Sequence, residues 1–213
     1  MNDNRAYIWG EDSRSERAEY PYIIDFVKPG SCVIDLGCGD GTLLERLVKE
    51  KQVIAKGFES SQSGVKACRK KGLDVELRPI DKHKSYGDIP DVSFDYAVCN
   101  VTIQMVMYPE VLLEEMKRVA RYQIVSFPNF AYFLNRKELL LNGRMPRTTL
   151  GGYSWYSTGH IHQPSISDFL ELSGRLGLRS VHAVYFGLIP TWAKWWPNLF
   201  CSTVIFFLEK SNT

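Results

Sequence analysis

The 213 residues contain no Cys-x-x-Cys pair and no cluster of Cys and His at metal-ligand spacing, which excludes a zinc ribbon or a dithiol redox motif. The five cysteines, Cys32, Cys38, Cys68, Cys99 and Cys201, are odd in number. With Cys32 and Cys99 inside apolar runs, they read as buried thiols of a reducing compartment rather than a disulfide framework. Long hydrophobic runs are also missing: Lys194 and Pro197 interrupt the most apolar C-terminal stretch, well short of a membrane span. Met1-Asn2-Asp3-Asn4-Arg5 lacks the apolar core of a secretion signal, so a cytoplasmic protein is expected. Nor is there an excess of charge of either sign. Against 24 Asp and Glu stand 26 Lys and Arg, and a net charge of +2 gives no footing for a nucleic-acid partner. The four histidines are scattered, and His160-Ile161-His162 has no third ligand at usable spacing. No acid–base or nucleophile constellation is visible, and catalytic residues are not assigned.

A chain of this length with 45% hydrophobic residues can bury one core. A single domain over residues 1–213 with one insertion is expected. Its most informative stretch is Val33-Ile34-Asp35-Leu36-Gly37-Cys38-Gly39-Asp40-Gly41-Thr42: an apolar strand, an acid at its end, then three alternating glycines opening a helix. Glycine at every second position serves a backbone that must adopt positive φ or be approached closely by a ligand. The spacing is not the Gly-x-Gly-x-x-Gly of dinucleotide enzymes, whose third glycine would fall on Thr42. It is that of the loop cradling S-adenosylmethionine (SAM) in doubly wound methyltransferase-type domains. A nicotinamide oxidoreductase is correspondingly disfavoured.

Apolar runs at Cys32–Leu36, Val53–Phe58, Leu73–Leu77, Phe94–Cys99 and Gln123–Phe127 alternate with helical patterns at Thr42–Lys49, Ser61–Lys71 and Pro109–Val119. Such alternation predicts a parallel sheet wound on both faces. Two further strands near Ser180–Phe186 and Thr203–Glu209 are expected to pair antiparallel at one edge, completing a seven-stranded α/β sheet. Phe130 to Pro164, rich in Arg, Tyr and Trp, is too long for a plain loop and is read as a lid. Trp192, Trp195 and Trp196 share helical spacing; packing over the last two strands is the simpler expectation, a partner surface the alternative.

The strand ends carry the candidate ligand contacts. Glu59, 18 residues after Gly41, stands where a carboxylate accepts from both ribose hydroxyls. Asp35 is expected to orient the loop and, directly or through water, the ammonium of the methionine moiety, with a helix-dipole role as the alternative. Gly37, Cys38, Gly39 and Gly41 form the loop itself. In Arg78-Pro79-Ile80-Asp81, Pro79 offers neither carboxylate nor N–H, so Asp81 is left to meet the adenine amine unless it is a plain loop acid. Asn100, after the fourth strand, faces the methyl group unless it is simply a turn former.

Asp35-Leu36-Gly37-Cys38-Gly39-Asp40-Gly41 and Leu113-Glu114-Glu115-Met116-x-Arg118-Val119 resemble many SAM-binding domains. More specific are Ile124-Val125-Ser126-Phe127-Pro128-Asn129-Phe130, Leu139-Leu140-Leu141-x-Gly143-Arg144-Met145-Pro146, Tyr153-x-Trp155-Tyr156, and Ile161-His162 before Asp168-Phe169. Together these resemble the MetW family, small bacterial methyltransferase-fold proteins associated with methionine biosynthesis. The likeness spans roughly residues 17 to 180. It implies SAM or S-adenosylhomocysteine (SAH) as ligand and an accessory role with a homoserine O-acyltransferase. Pro79 and Val101 depart from the family pattern, which has Asp and Gln there. The alternative is an active SAM-dependent methyltransferase on a small or lipid-like acceptor, since methyl transfer needs mainly alignment.

Overall fold

The computed structural model describes residues 7–211. Strands β1 (Cys32–Leu36), β2 (Ile54–Glu59), β3 (Val75–Leu77), β4 (Phe94–Asn100) and β5 (Ala120–Pro128) pair in parallel. With β6 (Leu178–Phe186) and β7 (Thr203–Lys210) they form one sheet of order β3-β2-β1-β4-β5-β7-β6. β7 runs antiparallel to both of its neighbours. The fold is the seven-stranded, doubly wound α/β sheet expected from the alternation.

Successive strand residues face opposite sides, and both sides are covered, which is why the central strands are almost wholly apolar. Ile34 and Leu36 of β1, with Val204, Phe206 and Leu208 of β7, pack beneath Leu112, Leu113 and Met116 of helix α4 (Pro109–Val119) and Phe169 of α6 (Ile166–Arg175). Val33, Ile205 and Phe207 face the other way, onto Ile23 of α1 (Tyr20–Phe26) and Leu43 and Leu47 of α2 (Thr42–Lys51). Leu112 is fully buried, so truncation to Ala would cost about 2–5 kcal/mol.

Local chemistry sets the helix ends. Ser61 caps α3 (Gln62–Lys70) by accepting from the Gly64 N–H, and Pro109 opens α4 at a position where its missing N–H costs nothing. Ser165 and Asp168 form a reciprocal capping box that starts α6, a helix not among the expected elements although Ile166, Phe169 and Ser173 share its buried face. The segment expected as a lid holds α5 (Phe133–Asn142) followed by turns, and its base is closed by the Phe130 N–H donating to Pro164 O at 2.9 Å.

One expectation is overturned. Trp192 and Trp195 lie on the short helix α7 (Pro190–Trp195), and Trp196 precedes α8 (Pro197–Phe200). All three are exposed, Trp195 to 81%. Their helical period is the one expected, but the stripe faces solvent, because Ala193 is the α7 residue that packs inward.

Candidate functional site

The strand order reverses between β1 and β4, so the loops that leave their carboxyl ends diverge and open a crevice there. A cavity of about 600 Å³ occupies it, walled by the loops after β1, β2, β3 and β4. That volume suits a nucleoside-sized ligand.

Gly37, Gly39 and Gly41 have φ of +78°, +59° and +75°, a conformation that L side chains resist. Each is also hemmed in, by a different neighbour. A Cβ on Gly37 would meet Thr102 Cγ2 at 2.5 Å, one on Gly39 the Trp9 ring at 3.0 Å, and one on Gly41 Cys68 Sγ and Leu73 Cδ1 at 2.7 Å. Gly37, Cys38 and Gly39 line the cavity, whereas Gly41 stands behind its wall as the N-cap of α2.

Glu59 ends β2 with both carboxylate oxygens held: Oε2 accepts the Gly39 N–H at 2.8 Å and Oε1 the Ser61 N–H at 2.7 Å. A carboxylate has about four acceptor positions, so the side chain, which lines the cavity, keeps acceptor capacity toward it. Burial pushes its pKa up, against the opposing backbone N–H groups of Ser61, Gly39 and Ser60 and the Ser60 side chain. Asp35 lies behind the loop, almost fully buried, and its carboxylate makes no hydrogen bond among the described residues. Burial, and then the nearby Glu59 charge, raise its pKa to about 7. Two neighbouring buried acids, each with its pKa raised, form a site that a positively charged ligand would relieve.

The remaining expected residues come to the same crevice. Asp81 lines it, with Oδ2 accepting the Met107 N–H at 2.9 Å. Asn100 lines it too, its Oδ1 taking the Ser126 hydroxyl at 2.6 Å. The next residue, Val101, is strained at φ +50°. Its N–H is held by Ser126 O at 3.1 Å and Oγ at 2.9 Å. A β-branched residue kept in that region marks a backbone over-determined by its surroundings. Cys38 faces the cavity but is no nucleophile: its contact with Cys68 Sγ at 3.9 Å, together with burial, holds the thiol well above its usual pKa.

The sequence reading missed the N-terminal strap, residues 7–17. Tyr7, Trp9, Ser15 and Arg17 all line the cavity. The strap is tied down by the Trp9 N–H to Ser63 Oγ at 3.1 Å and by the Ser13 and Ser15 hydroxyls to Asp40 Oδ2 at 2.9 and 2.8 Å. Lys71 Nζ bridges Ser13 O and Asp40 O. Burial alone would raise the Asp40 pKa, but hydrogen bonds from Thr42, Ser15 and Ser13 bring it below the usual carboxylate value. The available signal was compositional: aromatics at Tyr7 and Trp9 in an otherwise polar segment. From the lid, only Gly159 and Ile161 reach the cavity. Their stretch is tied to Gln104 O by the N–H groups of Ile161 (2.8 Å) and His162 (3.0 Å).

The family model described as methionine biosynthesis protein MetW matches residues 17–208. The chain belongs to the MetW family. A bifunctional methionine biosynthesis protein MetXA/MetW of Rhodopirellula baltica is 35% identical over 170 residues, 73% of this chain and 26% of that one. The chain thus spans about a quarter of that relative's length. An uncharacterized methyltransferase of Schizosaccharomyces pombe is 35% identical over 75 residues, 35% of this chain and 28% of its own. Among solved structures, a SAM-dependent methyltransferase of Archaeoglobus fulgidus superposes with a TM-score of 0.66 at 18% identity, covering 91% of this chain and 92% of its own. The [4+2]-cyclase SpnF gives 0.64 at 14%, covering 100% and 89%. MetW members therefore share a fold that hosts more than one chemistry.

Proposed function

We propose that this MetW-family protein binds SAM or SAH in the crevice and serves methionine biosynthesis as the companion of a homoserine O-acyltransferase. The observation that carries the ligand reading is the pair Glu59 and Asp35. They put two buried acids at the Gly-rich loop, one with acceptor capacity toward the cavity and one whose carboxylate is not hydrogen-bonded among the described residues. These residues fit the ligand. Glu59 is positioned to accept from ribose hydroxyls, Asp81 to accept from the adenine amine on the oxygen that Met107 leaves free, and Arg17 to meet the methionine carboxylate. Asp35 supplies negative potential beneath the ammonium and sulfonium. SAM when bound supplies an electrophilic methyl group, and the chain's part is to hold it and keep water out. The fused relative, whose printed name joins MetXA to MetW, supports the companion role. The test is calorimetry with SAM, SAH and NAD, followed by co-purification with the acyltransferase of the same organism. Binding of NAD instead of SAM or SAH would overturn the ligand reading.

A second reading draws on the apolar part of the cavity lining, to which Met105, Val106 and Ile161 contribute along with Asn100. An apolar methyl acceptor would fit there. Robust methylation of such an acceptor by protein that fails to associate with the acyltransferase would favour it.

A further inference from the structure

Outside the crevice lining, the protein exposes a group of apolar side chains. Helix α5 turns Leu140 outward, 83% exposed, and Leu141 beside it is also exposed. On α7 and the loop before it, Leu188, Trp192 and Trp195 are exposed as well. The two elements are continuous. Phe133 at the start of α5 packs against Phe200, which in turn contacts Trp192 and Trp196, and Arg136 reaches Asn198 O. Leu140 lies four residues after Arg136 and seven after Phe133, on the same helix face. Past the end of α5, a groove of about 690 Å³ opens between Glu138, Arg144, Met145, Arg147, Trp155 and Tyr156. Arg144, Met145, Trp155 and Tyr156 among them belong to the family-specific motifs, and none of the four lines the ligand crevice.

Charge says what covers this surface. From Met116 to Lys210 the chain carries eleven Lys and Arg but only four Asp and Glu; no acid occurs between Leu139 and Ser167 or between Leu172 and Leu208. The near-neutral total hides this division. Arg136 and Lys137 on α5, Arg144 and Arg147 in the groove and Lys194 on α7 belong to the same elements as the apolar residues, and Glu138, the acid among them, already accepts from the Arg147 N–H and the Thr148 hydroxyl. A second copy seated on this face about a two-fold axis would set basic rim against basic rim. A bilayer surface is smooth and has nothing to fill the groove. Nucleic acid would satisfy the cations but leave the Leu and Trp side chains in contact with charge.

We propose that this surface docks a protein partner presenting an apolar centre with a protruding side chain for the groove and carboxylates around it. The inference rests on the functional reading above, and the partner it assigns is the acyltransferase. Exposed Trp and Arg side chains are the types that dominate binding energy at interfaces.

The experiment measures association of purified full-length protein with the acyltransferase of the same organism. Wild type is compared with Leu140→Asp, Trp195→Asp and the double charge reversal Arg144→Glu/Arg147→Glu. Calorimetry with SAH on each variant confirms that the crevice is intact. The expected result is a dissociation constant raised about 30-fold or more in Trp195→Asp and in the charge reversal, with SAH affinity unchanged. Wild-type association that survives all three variants overturns the surface but leaves the functional reading standing. No association by wild type overturns that reading and this surface with it. Self-association abolished by the same variants, or binding to vesicles of anionic but not zwitterionic lipid, would reassign the surface and overturn the proposal.

Discussion

Glu59 Oε2 accepts the backbone N–H of Gly39 at 2.8 Å, joining the end of β2 to the loop that leaves β1. The acid proposed for the ribose thus also shapes the glycine loop, so ligand contact and loop conformation are one device. Replacing Glu59 with Ala should weaken SAH binding by about 2–3 kcal/mol, since charge-assisted acceptors are lost. Calorimetry would show this, and unchanged affinity would refute the role of Glu59.

Asp35 gives a pH dependence with a definite sign. Its folded pKa, about 7, exceeds the ordinary value of 3.8, so the folded chain holds the proton more tightly. The stability this contributes is complete below about pH 4 and is lost as pH rises through about 7. Asp35→Asn should therefore melt above wild type at pH 8, with the gap narrower at pH 5 and closed only below about pH 4, while binding SAM more weakly. Thermal melts at the two pH values are the check. A gap that widens toward low pH would contradict the assignment.

The glycines should separate under substitution. Gly41→Val would press on Cys68 and Leu73, inside the packing of α2 on α3, at a φ it cannot adopt; a loss of about 2–5 kcal/mol is expected. Gly39→Val meets the Trp9 ring instead, so the strap shifts and the fold survives while nucleoside binding is lost. Denaturant unfolding with parallel calorimetry separates the two. Equal destabilisation by both would make Gly39 a purely structural glycine.

Hydrogen exchange should divide the segment after β5. Residues 159–162, tied to Gln104 and bordering the cavity, should gain protection when SAH binds, and residues 143–156 should not. Uniform protection across 130–164 would mean that the whole segment closes as a lid.

Most of the sheet and much of the crevice were legible because they rest on local patterns. β1 and α4 fall where the apolar runs put them, since buried parallel strands and amphipathic helices have distinct periods. Ser61 and Pro109 announce their helices through backbone chemistry that acts within a few residues. The strap was not legible because residues far apart hold it: Trp9 to Ser63, Ser15 to Asp40. No periodicity encodes such bonds. The Trp192 stripe was misjudged for another reason: helical spacing says which residues share a face, not whether that face is covered.

β7 comes last among the seven strands in chain order, yet it lies inside the sheet, between β5 and the edge strand β6. Its Ile205 and Phe206 enter opposite faces of the core. As the chain leaves the ribosome, the first five strands therefore wait with β5 as an open apolar edge until a segment some eighty residues later arrives to cover it. The vulnerable flank of this sheet is therefore one that exists only before the chain is complete.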